Sequence, residues 1–176
     1  MTTLSQYRDV LRFFASGVTL VTSKAGDRTH GMTVSAFTSI SAEPPIIAVV
    51  IDQSTTITPL LAGEEAVFAV NILASDQAHL SHRFAFEKDE DRFEIGDWGA
   101  GVTGAPVLND ALAWLDCSVE SRHQAGTHTI YLGLVQASRV ARPGESPLVY
   151  WDRGYRTLTP GRSPKGLPST PGRASS

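Results

Sequence analysis

The sequence predicts a mainly β, antiparallel, Greek-key-like protein, a closed or nearly closed barrel with a few short helices plugging its ends. Six or seven β-branched or alternating segments follow one another as sequence neighbours. Three short stretches carry helical spacing or helix stops. At 176 residues and 41% hydrophobic content the chain is the size of one domain and long enough to bury a core.

Leu4, Tyr7, Val10, Leu11 and Phe14 keep the three-four spacing of one apolar stripe, so residues 4–14 read as an opening helix stopped by Gly17. "GVTLVTS" (17–23) is a β-branched run, and "AGDRTH" supplies a hairpin turn. "GMTVSAF" (31–37) pairs back, with Met32, Val34 and Ala36 on one face and Thr33 and Ser35 on the other. "PPIIAVVID" (44–52) is continuously apolar, as a strand covered on both faces is. In "QSTTITPLLAG" (53–63), Pro59 fits a first turn and Gly63 a stop, giving a short helix capped near Thr56. "AVFAVNIL" (66–73) is a further buried strand, and "SDQAHLSHRFA" (75–85) a second short helix capped by Ser75. Residues 86–106 are polar and Gly-rich and read as a long surface loop. Long alternating strands then occupy 111–123, 128–140 and 147–158, the last folded by a tight turn at "DRG". The folded domain spans 1–158. The tail 159–176, rich in Pro, Gly, Ser and Thr, cannot offset its ordering entropy and is expected to be disordered.

Several classes fall away. A net charge of −3 and the lack of a basic patch interleaved with aromatics argue against nucleic acid. No window approaches a membrane span, and the N-terminus lacks signal-peptide order, so a cytoplasmic protein is expected. A single cysteine, Cys117, excludes an internal disulfide and a Cys-based zinc site. There is no G-x-S-x-G turn and no G-x-G-x-x-G fingerprint. His79 and His82 share a helix face, but spacing brings them no third ligand, and no metal is expected.

The stretch "HGMTVSAFTSISAEPP" (30–45) carries Thr33, Ser35, Thr38, Ser39 and Ser41 and no charge before Glu43. Hydroxyls and backbone N–H groups can hold a phosphate where a helix N-terminus points at it. A helix starting within Ser54–Thr56 would supply that end, and pairing of 31–37 with 46–52 would bring the two clusters together. The plainer alternative is that these residues decorate a strand and cap a helix. His128, after "QAGT", stands at a barrel rim, either facing a ligand or lying exposed in a turn. Trp98, Trp114, Tyr150, Trp151 and Tyr155 serve as core, dimer contacts or stacking surface.

The segments "FASGVTLVTS", "HGMTVSAFTSISAEPP", "VVIDQSTTITPLL", "FAVNIL", "LSHRFA", "GAPVLNDALAWLDCSVE", "GTHTIYLGLV" and "PLVYWDRGYRTL" together resemble the flavin reductase-like family with the FMN-binding split β-barrel. They occur in that family's order across residues 7–158. The resemblance implies FMN or FAD bound at a homodimer interface, NADH or NADPH as co-substrate, and delivery of reduced flavin to a separate monooxygenase. It implies that Thr33, Val34, Ser35 and Ala36 run along the flavin ring, with Ser39 and Ser41 extending that turn. Gln53, Ser54 and Thr56 would close on the phosphate, and Asn71 and Phe84 would lie near the ring or ribityl chain. His128 would be the catalytic residue at the nicotinamide, with Tyr155 where that nicotinamide approaches. Thr127 departs from the family, which carries an acidic residue before the histidine. No basic residue is seen to read a 2′-phosphate, which favours NADH. Two rival readings stand beside the flavin reductase: a flavoprotein with tightly bound FMN acting directly on a small molecule, and a non-catalytic flavin-binding protein.

Overall fold

Thr3 and Gln6 open the chain with a reciprocal cap: the Gln6 N–H donates to Thr3 Oγ1 at 3.2 Å, and the Thr3 N–H donates to Gln6 Oε1 at 2.9 Å. They start α1 (Leu4–Leu11) in a computed structural model that describes residues 2–87 and 90–158. The expected disordered tail 159–176 lies outside the described residues. Helix α1 is shorter than expected and buries none of its residues, so its apolar stripe faces outward. Gly17 is not its stop; it belongs to β1 (Ser16–Gly17).

The strands that follow are β2 (Thr19–Ala25), β3 (Arg28–Val34), β4 (Phe37–Ala42), β5 (Pro45–Asp52), β6 (Val67–Ile72), β7 (Trp98–Ala100), β8 (Pro106–Leu108), β9 (Ala113–Ala125), β10 (His128–Val140), β11 (Leu148–Trp151) and β12 (Gly154–Thr157). Helix α2 (Ala78–Phe86) sits between β6 and β7. Seven strands form one antiparallel sheet in the order β3-β2-β6-β9-β10-β5-β4. Its two edges, β3 and β4, are consecutive in the chain and joined only by Ser35 and Ala36. The sheet therefore curls until its edges nearly meet, as the barrel expectation required. The strand expected over 31–37 is broken at Ser35–Ala36 because the backbone there leaves the β2 ladder and joins that of β5.

The inner faces close on Val21, Val49, Ile51, Phe68, Val70 and Tyr131. A second cluster, including Leu20, Leu73, Leu80, Phe84 and Leu148, seats α2 and the β11–β12 hairpin against the sheet. Each such side chain, fully buried, contributes roughly 1.5–3 kcal/mol of apolar transfer.

Three further expectations change. The helix expected over 53–63 shrinks to a 3-10 turn, Thr58–Leu61, whose N-cap is Ile57 without a side-chain bond. Thr55 Oγ1 donates to the Asp52 carbonyl at 2.7 Å and lies 3.1 Å from Thr58 Oγ1, so local hydroxyl bonds hold a tighter turn than an α-helix. Helix α2 starts at Ala78, not at Ser75, because Gln77 Oε1 accepts from the Ala74 N–H while Asp76 pairs with Arg142 at 2.9 Å. The surface loop of 86–106 contains a 3-10 turn, Glu90–Glu94, and the β7–β8 pair. The tight turn at "DRG" is present, with Asp152 and Arg153 at φ 47° and 60°.

Candidate functional site

Three clefts join into one groove along the seam where the sheet nearly closes. The central cleft, about 350 Å³, is lined by Thr33, Ser35, Ser81, Tyr150 and Tyr155 among others. Through Thr33, Ala85 and Phe86 it continues into a cleft of about 360 Å³ holding His30, Ser54, Thr55, Thr56, Phe84 and Arg92. Through Ser35, Tyr150 and Arg153 it opens the other way into a groove of about 760 Å³ beside α1.

The structure thus brings together Thr33, Ser35, Ala36, Ser54, Thr56, Phe84 and Tyr155. Thr33 Oγ1 donates to the Ser81 carbonyl at 2.6 Å, which fixes the β3 edge against α2. The Tyr155 hydroxyl lies 2.9 Å from Ser81 Oγ, and its ring meets Tyr150 edge-on at 5.7 Å between centroids. Ser35 and Ala36 lie in the break between ladders, and their N–H groups donate to no backbone carbonyl among the described residues. The hydroxyls of Ser35 and Thr56 are also without a partner among the described residues.

Other expected positions fall elsewhere. Asn71 is wholly buried: its amide donates to the Leu20 carbonyl and Thr22 Oγ1 and accepts from the Leu108 N–H at 2.7 Å. Every bond it can make towards the groove is spent on the core. Val34 is buried too, its carbonyl accepting from Thr19 Oγ1 at 2.7 Å. Ser39 and Ser41 lie along β4 and line none of these clefts. His128 is exposed on the rim, outside the three clefts, but its backbone pairs with Asp52, two residues before Ser54. Gln53 Nε2 reinforces that link, donating to the His128 carbonyl at 3.2 Å.

The polar end of the groove holds charged groups beside the expected hydroxyls. Asp52 Oδ1 accepts from both the Ser54 N–H (2.8 Å) and the Ser54 hydroxyl (2.7 Å). The Ser54 N–H, then its hydroxyl, hold the Asp52 carboxyl below the usual carboxylate range, with a smaller contribution from His128. Arg92 brings a guanidinium whose Nη1 donates to the Gly31 carbonyl at 2.9 Å and whose Nη2 donates to that of Glu87. Burial, with Arg92 and then Arg28 adding, depresses the His30 imidazole below its ordinary value. Sequence reasoning missed Arg92 because it lay inside an apparent surface loop. It missed Asp52 because that residue closes an apolar strand. Cys117 offers no nucleophile: burial, with Asp116 adding, pushes its thiol up to about 12. Among the described residues no three metal-ligating side chains gather.

An open amide edge facing a slot between Thr33 and Tyr155 suits a flat heteroaromatic ring with its own acceptors. Hydroxyls with a cation behind them suit a phosphate. That donor set fits a flavin mononucleotide unit in size, flatness and polarity. Comparison with known proteins agrees. Residues 11–159 match the family described as flavin reductase like domain. The chain is 37% identical over 174 residues to the actinorhodin polyketide dimerase of Streptomyces coelicolor, covering 94% of this chain and 96% of that protein. It is 36% identical over 152 residues to the reductase component of 4-hydroxyphenylacetate 3-monooxygenase from Thermus thermophilus, covering 86% of this chain and 95% of that one. Among solved structures, the NADH:FAD oxidoreductase of Streptomyces globisporus C-1027 in complex with NAD and FAD fragments superposes with a TM-score of 0.83. It shares 31% identity over 90% of this chain and 94% of that one.

Proposed function

Because the chain belongs to the flavin reductase-like domain family, we propose that the seam groove holds a flavin and that the protein is an NAD(P)H:flavin oxidoreductase. It reduces FMN or FAD by hydride transfer and supplies the reduced flavin to a separate monooxygenase. The observation that carries this reading is the continuity of the Ser35–Ala36 amide edge with the Ser54–Thr56 and Arg92 end in one groove.

A flavin held here would supply the redox chemistry, accepting a hydride from a reduced nicotinamide. The protein's part is to hold and orient. Ser35 and Ala36 offer N–H groups to the ring edge, while Thr33, tied to Ser81, and Tyr155, leaning on the same serine, fix the slot's width. Ser35 and Thr56 offer free hydroxyls, and Arg92 adds charge towards the phosphate. Asn71 and Val34 hold β2, β6 and β3 in place from behind. His128 stands at the rim with Nδ1 2.9 Å from Thr127 Oγ1, a contact that steadies the ring whose role here is to position the nicotinamide carboxamide.

Arg92 already spends N–H groups on backbone carbonyls, and Ser54 spends its own on Asp52. The grip on phosphate is therefore loose, as suits a flavin that leaves once reduced. Oxidation of NADH should require added FMN or FAD at substrate levels, and the flavin should exchange freely. His128→Ala should lower turnover with NADH much more than flavin affinity; equal losses in both would overturn this division of roles.

The likeness to a polyketide dimerase favours a second reading, in which the flavin stays bound and a small molecule is transformed directly. Purified protein that is yellow and turns over a second substrate without free flavin would select it. The proposed assembly is a cytoplasmic homodimer, supported by the uncovered apolar stripe of α1. Among the described residues, no helix is long and apolar enough to cross a membrane.

A further inference from the structure

The cleft at the polar end of the groove, about 360 Å³, holds a titratable side chain to which the flavin reading gives no part: His30. It lies on β3 opposite Ser23 of β2, on the strand face it shares with Met32 and Val34, both packed against the barrel core. Its ring is half-buried and makes no hydrogen bond among the described residues. Ser54, Thr55, Thr56 and Arg92 line the same cleft.

The charges that act on this imidazole have one sign. Arg28 precedes it by two residues on the same face of β3, and Arg92 reaches it from the 3-10 turn Glu90–Glu94. Helix α2 brings Phe84 and Phe86 to the cleft, while Glu87 at its end lies outside and pairs with Arg83 at 3.0 Å. The turn after β5 brings hydroxyls, because Asp52 stays outside the cleft with its Oδ1 taken up by Ser54. No carboxylate among the described residues lines the cleft. Burial, then Arg92, then Arg28 accordingly favour the neutral ring. A phosphate dianion in the cleft reverses that balance: it offsets the two guanidinium charges and attracts an imidazolium.

We infer that His30 is a proton-coupled phosphate ligand: the flavin's phosphate enters among His30, Arg92 and the Ser54–Thr56 hydroxyls, and the imidazole takes up one proton from solvent as it binds. The proton returns to solvent when the flavin leaves. This rests on the flavin reductase reading and adds to it a grip that depends on pH. Arg92 and Ser54 spend N–H groups on the protein itself, so a charge-assisted bond from His30 is a substantial share of what holds the phosphate. Above neutral pH that share fades and the flavin is released more readily.

The test uses the full chain freed of flavin, in buffers without phosphate. The His30 Cε1–H resonance, assigned by through-bond correlation to its own backbone, is followed against pH alone, with saturating FMN and with saturating riboflavin. Its midpoint rises by about one pH unit or more with FMN and stays in place with riboflavin, which has the same ring system and no phosphate. Calorimetry near pH 7 in buffers of different ionisation enthalpy shows proton uptake on FMN binding, and His30→Asn abolishes it. FMN affinity improves about three- to tenfold from pH 8 to pH 6, measured relative to His30→Asn, which retains the titration of FMN's own phosphate. A midpoint that FMN leaves unmoved, or that riboflavin raises as much, overturns the inference, as does proton uptake that persists in His30→Asn. Failure of the flavin reductase reading looks different: inorganic pyrophosphate still raises the His30 midpoint, while neither FMN binding nor NAD(P)H oxidation is seen.

Discussion

At the residue scale, Thr127 decides how His128 is presented. A hydroxyl 2.9 Å from Nδ1 can fix the imidazole's tautomer and orientation, but it carries no charge. Thr127→Val should lower the rate of flavin reduction by NADH several-fold to tenfold and leave flavin affinity unchanged, with Thr127→Ser restoring the rate. Stopped-flow measurements make the comparison, and a valine variant as fast as the parent would leave the hydroxyl idle. His30 gives a second prediction. Its pKa is lowered by burial, Arg92 and Arg28, so the unfolded chain takes up a proton more readily than the folded one. Its contribution to stability is full above the unfolded value of about 6.5 and is lost as pH falls through and below it. Thermal melts should therefore drop between pH 8 and pH 5.5, and His30→Asn should flatten part of that drop. The hydroxyls of Thr33, Ser35, Ser54 and Thr56 were legible in sequence because their chemistry is local. Asn71 was not placed correctly, because an amide that bonds to a ligand and one that braces β2 and β6 look alike until the fold shows what surrounds them.

At the element scale, the polar end of the groove depends on how closely β3 approaches α2. A Cβ at Gly31 would lie 2.7 Å from Phe84 Cε1 and 3.0 Å from Thr22 Cγ2, and the Gly31 carbonyl accepts from Arg92. Phe84 is packed edge-on against Phe93 and tilted on Trp98, so it has no easy retreat. Gly31→Ala should cost about 1–3 kcal/mol in urea unfolding, the usual cost of overpacking. It should weaken FMN as well, because Phe84, Ala85 and Phe86 all line the groove. An alanine variant of parental stability would mean that α2 yields. Long strands such as β5, β6, β9 and β10 were readable because apolar runs and alternation persist over six or more residues. Strands β7 and β8 have three residues each, too few to show a period, so their segment passed for a loop. The turn after Asp52 looked helical because Pro59 and Gly63 mark helix ends. The bonds from Thr55 and Thr58 to the Asp52 carbonyl that tighten it are invisible without coordinates.

At the scale of the whole molecule, α1 is the element that the single chain leaves unexplained. A helix with a complete capping box and a regular apolar stripe buries nothing, with Tyr7 53%, Val10 71% and Leu4 64% exposed. The helical spacing was legible over Leu4–Leu11 though not its end, and what covers the stripe was not legible, because periodicity reports that a face is apolar and not which molecule covers it. Leu11, Arg8 and Arg12 turn towards the groove, whereas Val10 lines none of its clefts, so Val10 is the position that tests the stripe without touching the ligand path. In a two-fold interface each residue appears twice. Val10→Glu would then bury two unpaired carboxylates, a penalty of several kcal/mol that should weaken a dimer by more than about a hundredfold. Sedimentation velocity should show the parent as a dimer and the variant as a monomer, each with an unchanged far-ultraviolet dichroism spectrum. A variant that stays dimeric would remove the stripe from the interface, and a monomeric parent would leave α1 for a different protein, the receiving monooxygenase being the partner this activity requires.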